Sequence, residues 1–208
     1  LDYPEEETGA VDVDAGRLRR VAVRARKLAS TFARGRLYQD GARVALAGRT
    51  NAGKSSLFNR LLQRDRSIVS EVHGTTRDYV EALIDVEGVP VRLFDTAGLR
   101  ASGEAIEEEG IRRSKAIIAA SDLVIYVVDC SEGLTDEDAS RLEEIRSTTP
   151  ALVVMNKADL AAADGVAVSA FTGEGIAELN ARLLAVLFEE AGVGASPGAR
   201  SALDSREP

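Results

Sequence analysis

Residues 48–55, with the sequence GRTNAGKS, decide the fold of this chain. A glycine, any four residues and then Gly-Lys-Ser form the pattern of a phosphate-binding loop. The glycines let the backbone wrap closely around a phosphate, and successive backbone N–H groups and the following helix N-terminus supply positive potential. We predict that Lys54 reaches the β- and γ-phosphates and that the Ser55 hydroxyl binds Mg²⁺. The nucleotide-contacting residues predicted from this stretch and from the residue after it are Asn51, Ala52, Gly53, Lys54, Ser55 and Ser56.

Apolar strands and helical segments alternate on both sides of this loop. Arg43–Ala47 precedes it as a short strand, and the loop 48–56 runs into a helix that continues through Leu62. Leu123–Asp129 is continuously apolar up to its last residue, as expected for a strand buried on both faces. We predict an α/β fold with a mostly parallel sheet, helices on both faces and one antiparallel edge strand from a hairpin. The other predicted elements are the hairpin strands Val80–Glu87 and Val89–Asp95 with alternating apolar positions Leu83, Val89, Val91 and Leu93, the strands Leu152–Met155 and Val166–Ser169, and the helices Ile106–Ala120, Glu137–Arg146 and Gly175–Glu190.

Two further polar segments are predicted to lie near the phosphate-binding loop. Asp95 ends the hairpin, where its carboxylate can hold the magnesium hydration shell, and the backbone N–H of Gly98 can meet a γ-phosphate. The loop before the hairpin contains Thr75 and Thr76, and a threonine hydroxyl there, Thr76 in our assignment, would complete the Mg²⁺ shell once a nucleotide orders the loop. The alternative is an ordinary turn at the end of a strand for Asp95 and Gly98, and a threonine-rich turn that enters a strand for Thr75 and Thr76.

The segment Asn156-Lys157-Ala158-Asp159 predicts which base the site accepts. The Asp159 carboxylate can accept hydrogen bonds from guanine N1–H and from its 2-amino group. Adenine lacks that pair of donors, so it would leave the carboxylate unpaired, which discriminates strongly. Asn156 and Lys157 would brace the neighbouring loop and the ring, and a backbone N–H at Ser169-Ala170 would meet the guanine oxygen. Ligands in such sheets bind at the carboxyl ends of the strands, and all these segments follow strands.

The composition excludes several other classes of function. The 208 residues are 45% hydrophobic and 29% charged, as in ordinary soluble domains, and the net charge of −8 gives no footprint for non-specific nucleic-acid binding. One histidine, His73, argues against a histidine-rich zinc site and against a serine–histidine hydrolase. One cysteine, Cys130, excludes an intrachain disulfide and fits a reducing cytosol. The apolar stretch Leu123–Val128 is far shorter than the roughly 20 residues that cross a bilayer.

The two ends of the chain differ from its centre. Residues 1–16 are acidic and rich in turn formers, which predicts an extended linker. Residues 16–40 predict an arginine-rich amphipathic helix that packs on another element; its polar surface is a solvated face or, alternatively, contacts RNA or a partner. The tail from Gly192 is predicted to be loose. Because the first residue is Leu1, we expect a piece of a longer protein. The apolar stripe of the helix consists of Leu18, Val21, Ala25, Leu28 and Phe32.

Taken together, the motifs GRTNAGKSSLFNRL, GTTRD, DTAGLR, NKAD and VSAFTGEG resemble those of translation-factor-type GTPases. With LDYPEEE and the arginine-rich helix upstream, residues 1–190 resemble the G domain of the MnmE (TrmE) family of tRNA-modification GTPases. The resemblance implies a P-loop GTPase fold. It also implies three parts: a linker and helix left from a helical domain at 1–40, a GTP-binding G domain at 41–190, and a flexible tail at 191–208.

The resemblance also implies an activity and partners. Members of the family hydrolyse GTP to drive modification of the wobble uridine of certain tRNAs, jointly with the flavoprotein MnmG, in the cytoplasm and without a membrane. Their folate-binding domain, complete helical domain and C-terminal Cys-x-Gly-Lys motif are not in this sequence. We therefore expect contact with tRNA only through domains that lie outside it, and GTP or GDP, Mg²⁺ and K⁺ as cofactors.

Hydrolysis needs a group that orients the attacking water, and Ras-like enzymes use a glutamine just after Asp-x-x-Gly. Here that position is Leu99, which cannot bind water. The resemblance assigns the role to Glu107, although Glu108 and Glu109 follow it and all three suit the N-terminus of a helix. It also implies K⁺ as the extra positive charge when two G domains pair. The K⁺ ligands that it implies are Asn51, Ser70, Val72 and Thr75.

Thr50 departs from the proline usual in the family before that asparagine, so the loop is less pre-set. Two other functions stay open at this point. One is a nucleotide-gated binding module, or a ribosome-associated GTPase of the Era/Der type, with little turnover, which the missing glutamine favours. The other is a P-loop ATPase or kinase, which NKAD disfavours.

Overall fold

The computed structural model describes residues 14–64, 80–96 and 104–191, of which 26–27, 29–34, 80 and 104–109 are described by their backbone alone. Eleven helices and strands alternate along these ranges. In chain order they are α1 (Ala15–Asp40), β1 (Ala42–Ala47), α2 (Lys54–Arg64), β2 (Val80–Val86), β3 (Val89–Asp95), α3 (Glu104–Ala119), β4 (Leu123–Asp129), α4 (Asp136–Arg146), β5 (Ala151–Asn156), β6 (Val166–Ala167) and α5 (Ile176–Glu190).

The six strands form one sheet in the order β2-β3-β1-β4-β5-β6. Every neighbouring pair is parallel except β2–β3, which is an antiparallel hairpin at the edge of the sheet. The fold therefore confirms the predicted mostly parallel sheet with one antiparallel edge strand. The chain starts at the central strand β1, builds the β2–β3 side and then continues on the other side of β1 with β4. Because β3, β1, β4 and β5 are parallel, their polar C-terminal ends lie along one edge of the sheet.

Two apolar clusters cover the two faces of the sheet. One joins β1 and β3 to α2, α5 and the last turn of α1, with Val44, Leu57 and Leu179 fully buried. The other joins the opposite faces of β1 and β4 to α3 and α4 through Tyr126 and Leu142. β4 is buried at all seven positions, as a central strand covered on both faces must be. The architecture is three-layered, with helices on both faces as predicted.

Local sequence explains where several helices begin. Asp14 accepts a hydrogen bond from the Gly16 N–H and starts α1 one residue before the expected helix, so the linker ends earlier than predicted. Thr135 and Asp138 form a reciprocal capping box at α4. Asp138 is buried and also accepts from the Tyr126 hydroxyl at 2.9 Å. The hydrogen bonds from Thr135 and Tyr126 outweigh burial and hold the pKa of Asp138 below its ordinary value.

Three expectations about elements need correction. The helix after the phosphate-binding loop begins at Lys54 and not after Ser56, because the loop closes sooner than its polar composition suggests. The last strand has two residues instead of four. On β2 the buried residues are Ile84 and Val86, whereas Leu83 is 39% exposed, since the pleat puts successive side chains on opposite faces. The remaining predicted elements have ends within two residues of the structure's.

Among its described side chains, the arginine-rich helix contacts the rest of the domain at its C-terminal end. Leu37 is buried against the core, and the Tyr38 ring lies 6.1 Å from that of Phe188 in α5. Earlier in the helix Leu18, Val21 and Leu28 are 56%, 63% and 73% exposed. Ala25 of the predicted apolar stripe is exposed as well, and the Phe32 side chain lies outside the described residues. The contact made by Leu37 and Tyr38 was not predicted.

Candidate nucleotide-binding site

The predicted site residues that the structure describes lie at the carboxyl edge of the sheet. β1 runs into the phosphate-binding loop, and Leu46 near its end pairs with Asp95 at the end of β3. Asp129 at the end of β4 pairs with Asn156 at the end of β5. Because parallel strands end together, four segments that are distant in sequence converge on one edge.

The backbone of the phosphate-binding loop takes conformations that favour glycine. Gly48 has φ 134°, and a Cβ there would lie 2.2 Å from the Val127 carbonyl oxygen. Gly53 has φ 90°, and its Cβ would lie 2.2 Å from Asn156 Nδ2. Asn51 is left-handed at φ 64° with an exposed side chain. The motif residues are therefore required by the turn itself and by its close approach to β4 and β5.

Lys54 closes this loop from inside. Only 7% of Lys54 is exposed, and its ammonium donates to the carbonyl oxygens of Gly48 at 2.9 Å and Arg49 at 2.6 Å. Lys54 is also the first residue of α2, so the positive end of the helix dipole and a buried ammonium meet at one point. Buried positive charge beside a helix N-terminus is an arrangement that can bind an anion.

Ser55 and Asp95 stand together beside this anion site. The Ser55 hydroxyl donates to Asp95 Oδ2 at 2.7 Å, and Asp95 is 4% exposed. Next to them Thr96 donates to the Leu46 carbonyl and holds the end of β3 against β1. A hydroxyl and a carboxylate are the hard oxygen donors that Mg²⁺ prefers when phosphates and water complete its shell. Within the described ranges, no cluster of three or more acidic, histidine or cysteine side chains could hold a metal by itself.

Asn156 joins the phosphate-binding loop to the turn that follows β6. Its Nδ2 donates to the Ala52 carbonyl at 2.9 Å, and its Oδ1 accepts from the Ala170 N–H at 3.0 Å. The side chain is 2% exposed, so both bonds are made out of water. The predicted bracing role of Asn156 is thus seen as two hydrogen bonds that link three segments.

Asp159 and Ser169, two residues predicted for the base site, contact each other, which the sequence did not predict. The Ser169 hydroxyl donates to Asp159 Oδ1 at 2.5 Å, and Ser169 is fully buried. The same hydroxyl accepts from the Thr172 N–H, which fixes its orientation. One oxygen of the carboxylate is therefore held in place, as recognition of a base edge requires.

Asp129 pairs with Lys157, a contact that sequence reasoning missed. The Lys157 ammonium donates to Asp129 Oδ2, while the N–H and hydroxyl of Ser131 donate to Oδ1 at 2.9 and 2.7 Å. Burial alone would raise the pKa of Asp129, but the hydrogen bonds from Lys157 and Ser131 outweigh it and hold that pKa below its ordinary value. Burial and the nearby carboxylates of Asp129 and Asp159 raise the pKa of the Cys130 thiol.

Comparison with known proteins now assigns the family. Residues 43–157 match the family model described as 50S ribosome-binding GTPase. The chain belongs to this GTPase family. Like the family as a whole, it is a hydrolase acting on GTP.

Curated relatives narrow the resemblance within this GTPase family. The chain is 40% identical over 225 residues to the tRNA modification GTPase MnmE of Moorella thermoacetica, an alignment that covers 100% of this chain and 46% of that protein. It is 41% identical over 208 residues to the MnmE of Nitratidesulfovibrio vulgaris strain DP4, covering 93% of this chain and 45% of that protein. These matches confirm the resemblance to the MnmE G domain. The chain spans less than half the length of these relatives.

Solved GTPase structures share the fold. The crystal structure of Aquifex aeolicus Era bound to GDP·AlF4⁻ has a TM-score of 0.56 and 25% identity, and the match covers 70% of this chain and 56% of that one. The G domain of the T. maritima FeoB iron transporter has a TM-score of 0.51 and 27% identity, covering 70% of this chain and 98% of that one. The predicted P-loop GTPase fold is confirmed.

Arg60 is a second residue of this GTPase site that sequence reasoning missed. From α2 its guanidinium donates to the carbonyl oxygens of Ala170, at 2.7 Å, and Phe171. It thereby ties the helix that follows the phosphate-binding loop to the turn 169–174. No local pattern marks Arg60, but Asp129 could have been suspected as a carboxylate at the end of a buried strand.

Several predicted residues lie outside the described ranges. These are Ser70, Val72, Thr75, Thr76, Gly98 and Leu99. Glu107 lies in the first turns of α3, described by its backbone alone, together with Glu108 and Glu109. Ser56, by contrast, is described and lies exposed on the first turn of α2.

In the described residues no helix is both long and apolar enough for a membrane span.

Proposed function

We propose that this GTPase chain binds GTP along the carboxyl edge of its sheet, with the triphosphate on residues 48–56 and the guanine at Asp159. The observation that carries the proposal is the joint made by Asn156, which holds the anion site of Lys54 against the turn that orients Asp159. One ligand can therefore reach a phosphate site and a base site at once. Ala170 would meet the guanine oxygen with its backbone N–H, and Lys157 would flank the ring.

Hydrolysis is the attack of a water oxygen on the γ-phosphorus, with GDP as the leaving group and a proton released from the water. Lys54 and the N–H groups of the loop would neutralise charge on the phosphate oxygens. Gly98 would donate its N–H to the γ-phosphate. Ser55, Thr76 and, through water, Asp95 would hold Mg²⁺, which supplies further positive charge when bound. The 2.7 Å contact of Ser55 and Asp95 supports this assignment.

A catalytic glutamate and K⁺ complete the proposed chemistry. Leu99 cannot orient water, and the resemblance to the MnmE family gives that role to Glu107, through a bridging water. Asn51, Ser70, Val72 and Thr75 would hold K⁺, which adds positive charge near the bridging phosphate oxygen. The left-handed backbone and exposed side chain of Asn51 support this, because they leave its amide oxygen open to a ligand at the rim of the loop.

The wider role of the chain follows from its relatives. We propose that residues 1–40 belong to a helical domain, 41–190 form the G domain and 191–208 are a tail. In the longer protein, paired G domains in the triphosphate state would drive modification of tRNA wobble uridines together with MnmG in the cytoplasm. The 40% identity to MnmE across the whole chain supports this role.

The base assignment is tested by calorimetry of GTP, ATP and xanthosine triphosphate on the wild type and on Asp159→Asn. We expect the wild type to prefer GTP by at least about 100-fold, since unpaired buried polar groups discriminate strongly. The amide introduced by Asp159→Asn cannot accept both guanine donors but can donate to the 2-oxygen of xanthine, so the preference should move to xanthosine triphosphate. An equal affinity of the wild type for GTP and ATP would sink the proposal.

The chemistry is tested by turnover in KCl and NaCl at high protein concentration. We expect faster hydrolysis in KCl, and we expect Glu107→Ala to slow it by about 100-fold or more while GTP affinity stays near normal. Glu108→Ala is the matched control, because it removes the neighbouring glutamate from the same turn of the helix. Equal rates in the two salts would contradict K⁺ as a cofactor. An unchanged rate in Glu107→Ala would contradict Glu107 as the residue that orients the attacking water.

A nucleotide-gated binding module, or a GTPase of the Era/Der type with little turnover, is the second candidate. Leu99 in place of a water-orienting glutamine favours it. Single-turnover hydrolysis too slow to detect, together with nucleotide-dependent binding to a helical domain, would select it over the first.

A further inference from the structure

Lys157 is held at both of its ends by other parts of the chain. Its backbone is left-handed at φ 65°, a conformation that a lysine keeps only where its surroundings impose it. The Lys157 carbonyl accepts from the Leu160 N–H at 2.9 Å, and the Ala158 N–H donates to the Val168 carbonyl at 3.0 Å. At the other end of the side chain, the ammonium donates to Asp129 Oδ2. The side chain therefore runs along a fixed path from the end of β5 to the end of β4.

Asp129 is itself fixed, so it can hold the ammonium in one place. Ser131 donates its N–H and its hydroxyl to Oδ1 at 2.9 and 2.7 Å, which leaves Oδ2 to Lys157. Burial alone would raise the pKa of Asp129, but the hydrogen bonds from Lys157 and Ser131 hold it below its ordinary value, so the carboxylate is charged at neutral pH. Only 9% of this side chain is exposed, and a buried carboxylate is costly to leave without its cation. The pair therefore stays closed.

The position of Lys157 links this ion pair to the ligand. Asp159, two residues further along the chain, is the proposed partner of the guanine edge, and Lys157 is the residue that would flank the ring. A free lysine side chain has many rotamers, and it must give up most of them to lie against a flat ligand. When the ammonium is already bound by the protein, that entropy is not lost on binding, and such pre-organisation raises affinity.

We propose that Asp129 is a positioning residue for guanine nucleotides, which binds the Lys157 ammonium and thereby holds the lysine stem in place beside the base without touching the ligand itself. The inference rests on the proposed function, because it takes Lys157 as the neighbour of the guanine ring. It gives Asp129 a contribution to nucleotide affinity that is separate from its contribution to the stability of the fold.

The first test is a double-mutant cycle on GDP affinity, measured by calorimetry. Asp129→Asn should weaken GDP binding by about 3- to 10-fold, the range expected when one side chain must be immobilised by the ligand. Lys157→Met keeps an apolar stem but has no ammonium, so in that background Asp129→Asn should weaken GDP binding by less than about 2-fold. Inorganic tripolyphosphate, which has no base, should bind Asp129→Asn like the wild type. An equal loss of GDP affinity in both backgrounds, or an equal loss of tripolyphosphate affinity, would overturn the inference.

Asp122→Asn is the matched control for this cycle. Asp122 directly precedes β4 at its opposite end, where its carboxylate accepts from the Arg43 N–H at 2.7 Å. The substitution is the same, but it lies at the other edge of the sheet, so GDP affinity should stay that of the wild type. A loss as large as that of Asp129→Asn would show that any weakening of the strand lowers affinity, and it would overturn the inference.

A second variant keeps the inference testable if Asp129→Asn does not fold. Ser131 is exposed, so Ser131→Ala should keep the fold while it loosens the carboxylate that holds Lys157. Acylation of lysines followed by mass spectrometry reports how tightly the ammonium is held, with Lys115, paired with Glu144 at the surface, as the internal reference. We expect faster acylation of Lys157 in Ser131→Ala and a parallel fall in GDP affinity. Faster acylation with unchanged GDP affinity would overturn the inference, whereas failure of the wild type to bind GDP at all would instead defeat the proposed function.

Discussion

The site has two halves, and the phosphate half consists of residues 48–55 and Asp95. This half depends mostly on its backbone, which takes left-handed conformations and whose carbonyl oxygens bind Lys54. In the base half, residues 129–131, 156–159 and 169–174, side chains from three segments bind one another, as in Ser169–Asp159 and Lys157–Asp129. The first half depends on the path of one short segment. The second depends on the sheet to bring distant segments together, so the two halves should respond differently to substitution.

The largest effect is expected from Gly48→Ala in the phosphate half. The new Cβ would lie 2.2 Å from the Val127 carbonyl at φ 134°, so both a clash and a strained backbone must be accommodated. We expect the free energy of unfolding to fall by about 3 kcal/mol or more, measured by urea denaturation. Gly165→Ala is the control, with φ 89° and nothing within 4 Å, and should lose only about 1–2 kcal/mol. Equal losses would show that strain alone acts at Gly48.

The second largest effect is expected from Asn156→Ala, which removes the hydrogen bonds that link the two halves. It leaves the buried Ala52 carbonyl and Ala170 N–H without their partner, and each unpaired buried group costs about 1–3 kcal/mol. We expect unfolding to become easier by about 2–4 kcal/mol, and GTP affinity to fall as the halves separate. Asn156→Asp keeps an acceptor for Ala170 but sets a buried carboxylate oxygen against the Ala52 carbonyl, so it should be at least as unstable at neutral pH. If Asn156→Ala is as stable as the wild type, the two hydrogen bonds of Asn156 carry no weight.

Asp129→Asn probes the base half through pH. Since the folded pKa of Asp129 is lowered, its contribution to stability is present above the unfolded pKa of about 3.9 and is lost as pH falls through the folded value. We expect Asp129→Asn to be about 1–2 kcal/mol less stable at pH 7, a gap that closes below about pH 4. Glu144→Gln is the control, because the Glu144 pKa is lowered by Lys115 but both side chains are more than 60% exposed. It should change stability by less than about 0.5 kcal/mol at any pH. A gap for Asp129→Asn that is constant with pH would contradict the ion pair as its cause.

The same contrast explains what could be predicted from sequence. Gly48, Gly53 and Lys54 are required by the backbone of one turn, so their spacing along the chain was enough to predict that turn. The ends of β4 agree with the prediction. Its unbroken apolar run, which stops at Asp129, is typical of a strand that is covered on both faces. Asn156, Asp159 and Ser169 were predicted as residues, but the bonds of Asn156 to Ala170 and of Ser169 to Asp159 depend on how β5 and β6 are paired.

Other features of the molecule carry no periodic or local signature. Arg60 lies on the predicted helix, yet only the packed structure shows that it reaches the turn 169–174. Leu37 and Leu28 are both leucines of the arginine-rich helix, and no local feature of the sequence indicates which of them is buried. Leu37 is 7% exposed, whereas Leu28 is 73% exposed. Burial of one and exposure of the other follow from where α1 meets the domain, which is a tertiary property.

The smallest effect is expected from Arg49→Ala, which removes exposed ion pairs from the surface of the phosphate half. Arg49 binds Glu132 at 2.8 Å and Glu137 at 3.7 Å, but its side chain is 35% exposed and both acids are more than half exposed. Water and salt screen such pairs, so we expect a loss below about 1 kcal/mol in low salt that shrinks further at about 0.5 M NaCl. The loss in Asp129→Asn should vary much less with salt, because that carboxylate is only 9% exposed. If Arg49→Ala proves as costly and as insensitive to salt as Asp129→Asn, then side-chain ion pairs hold the phosphate half as firmly as the base half, and the two are not built on different principles.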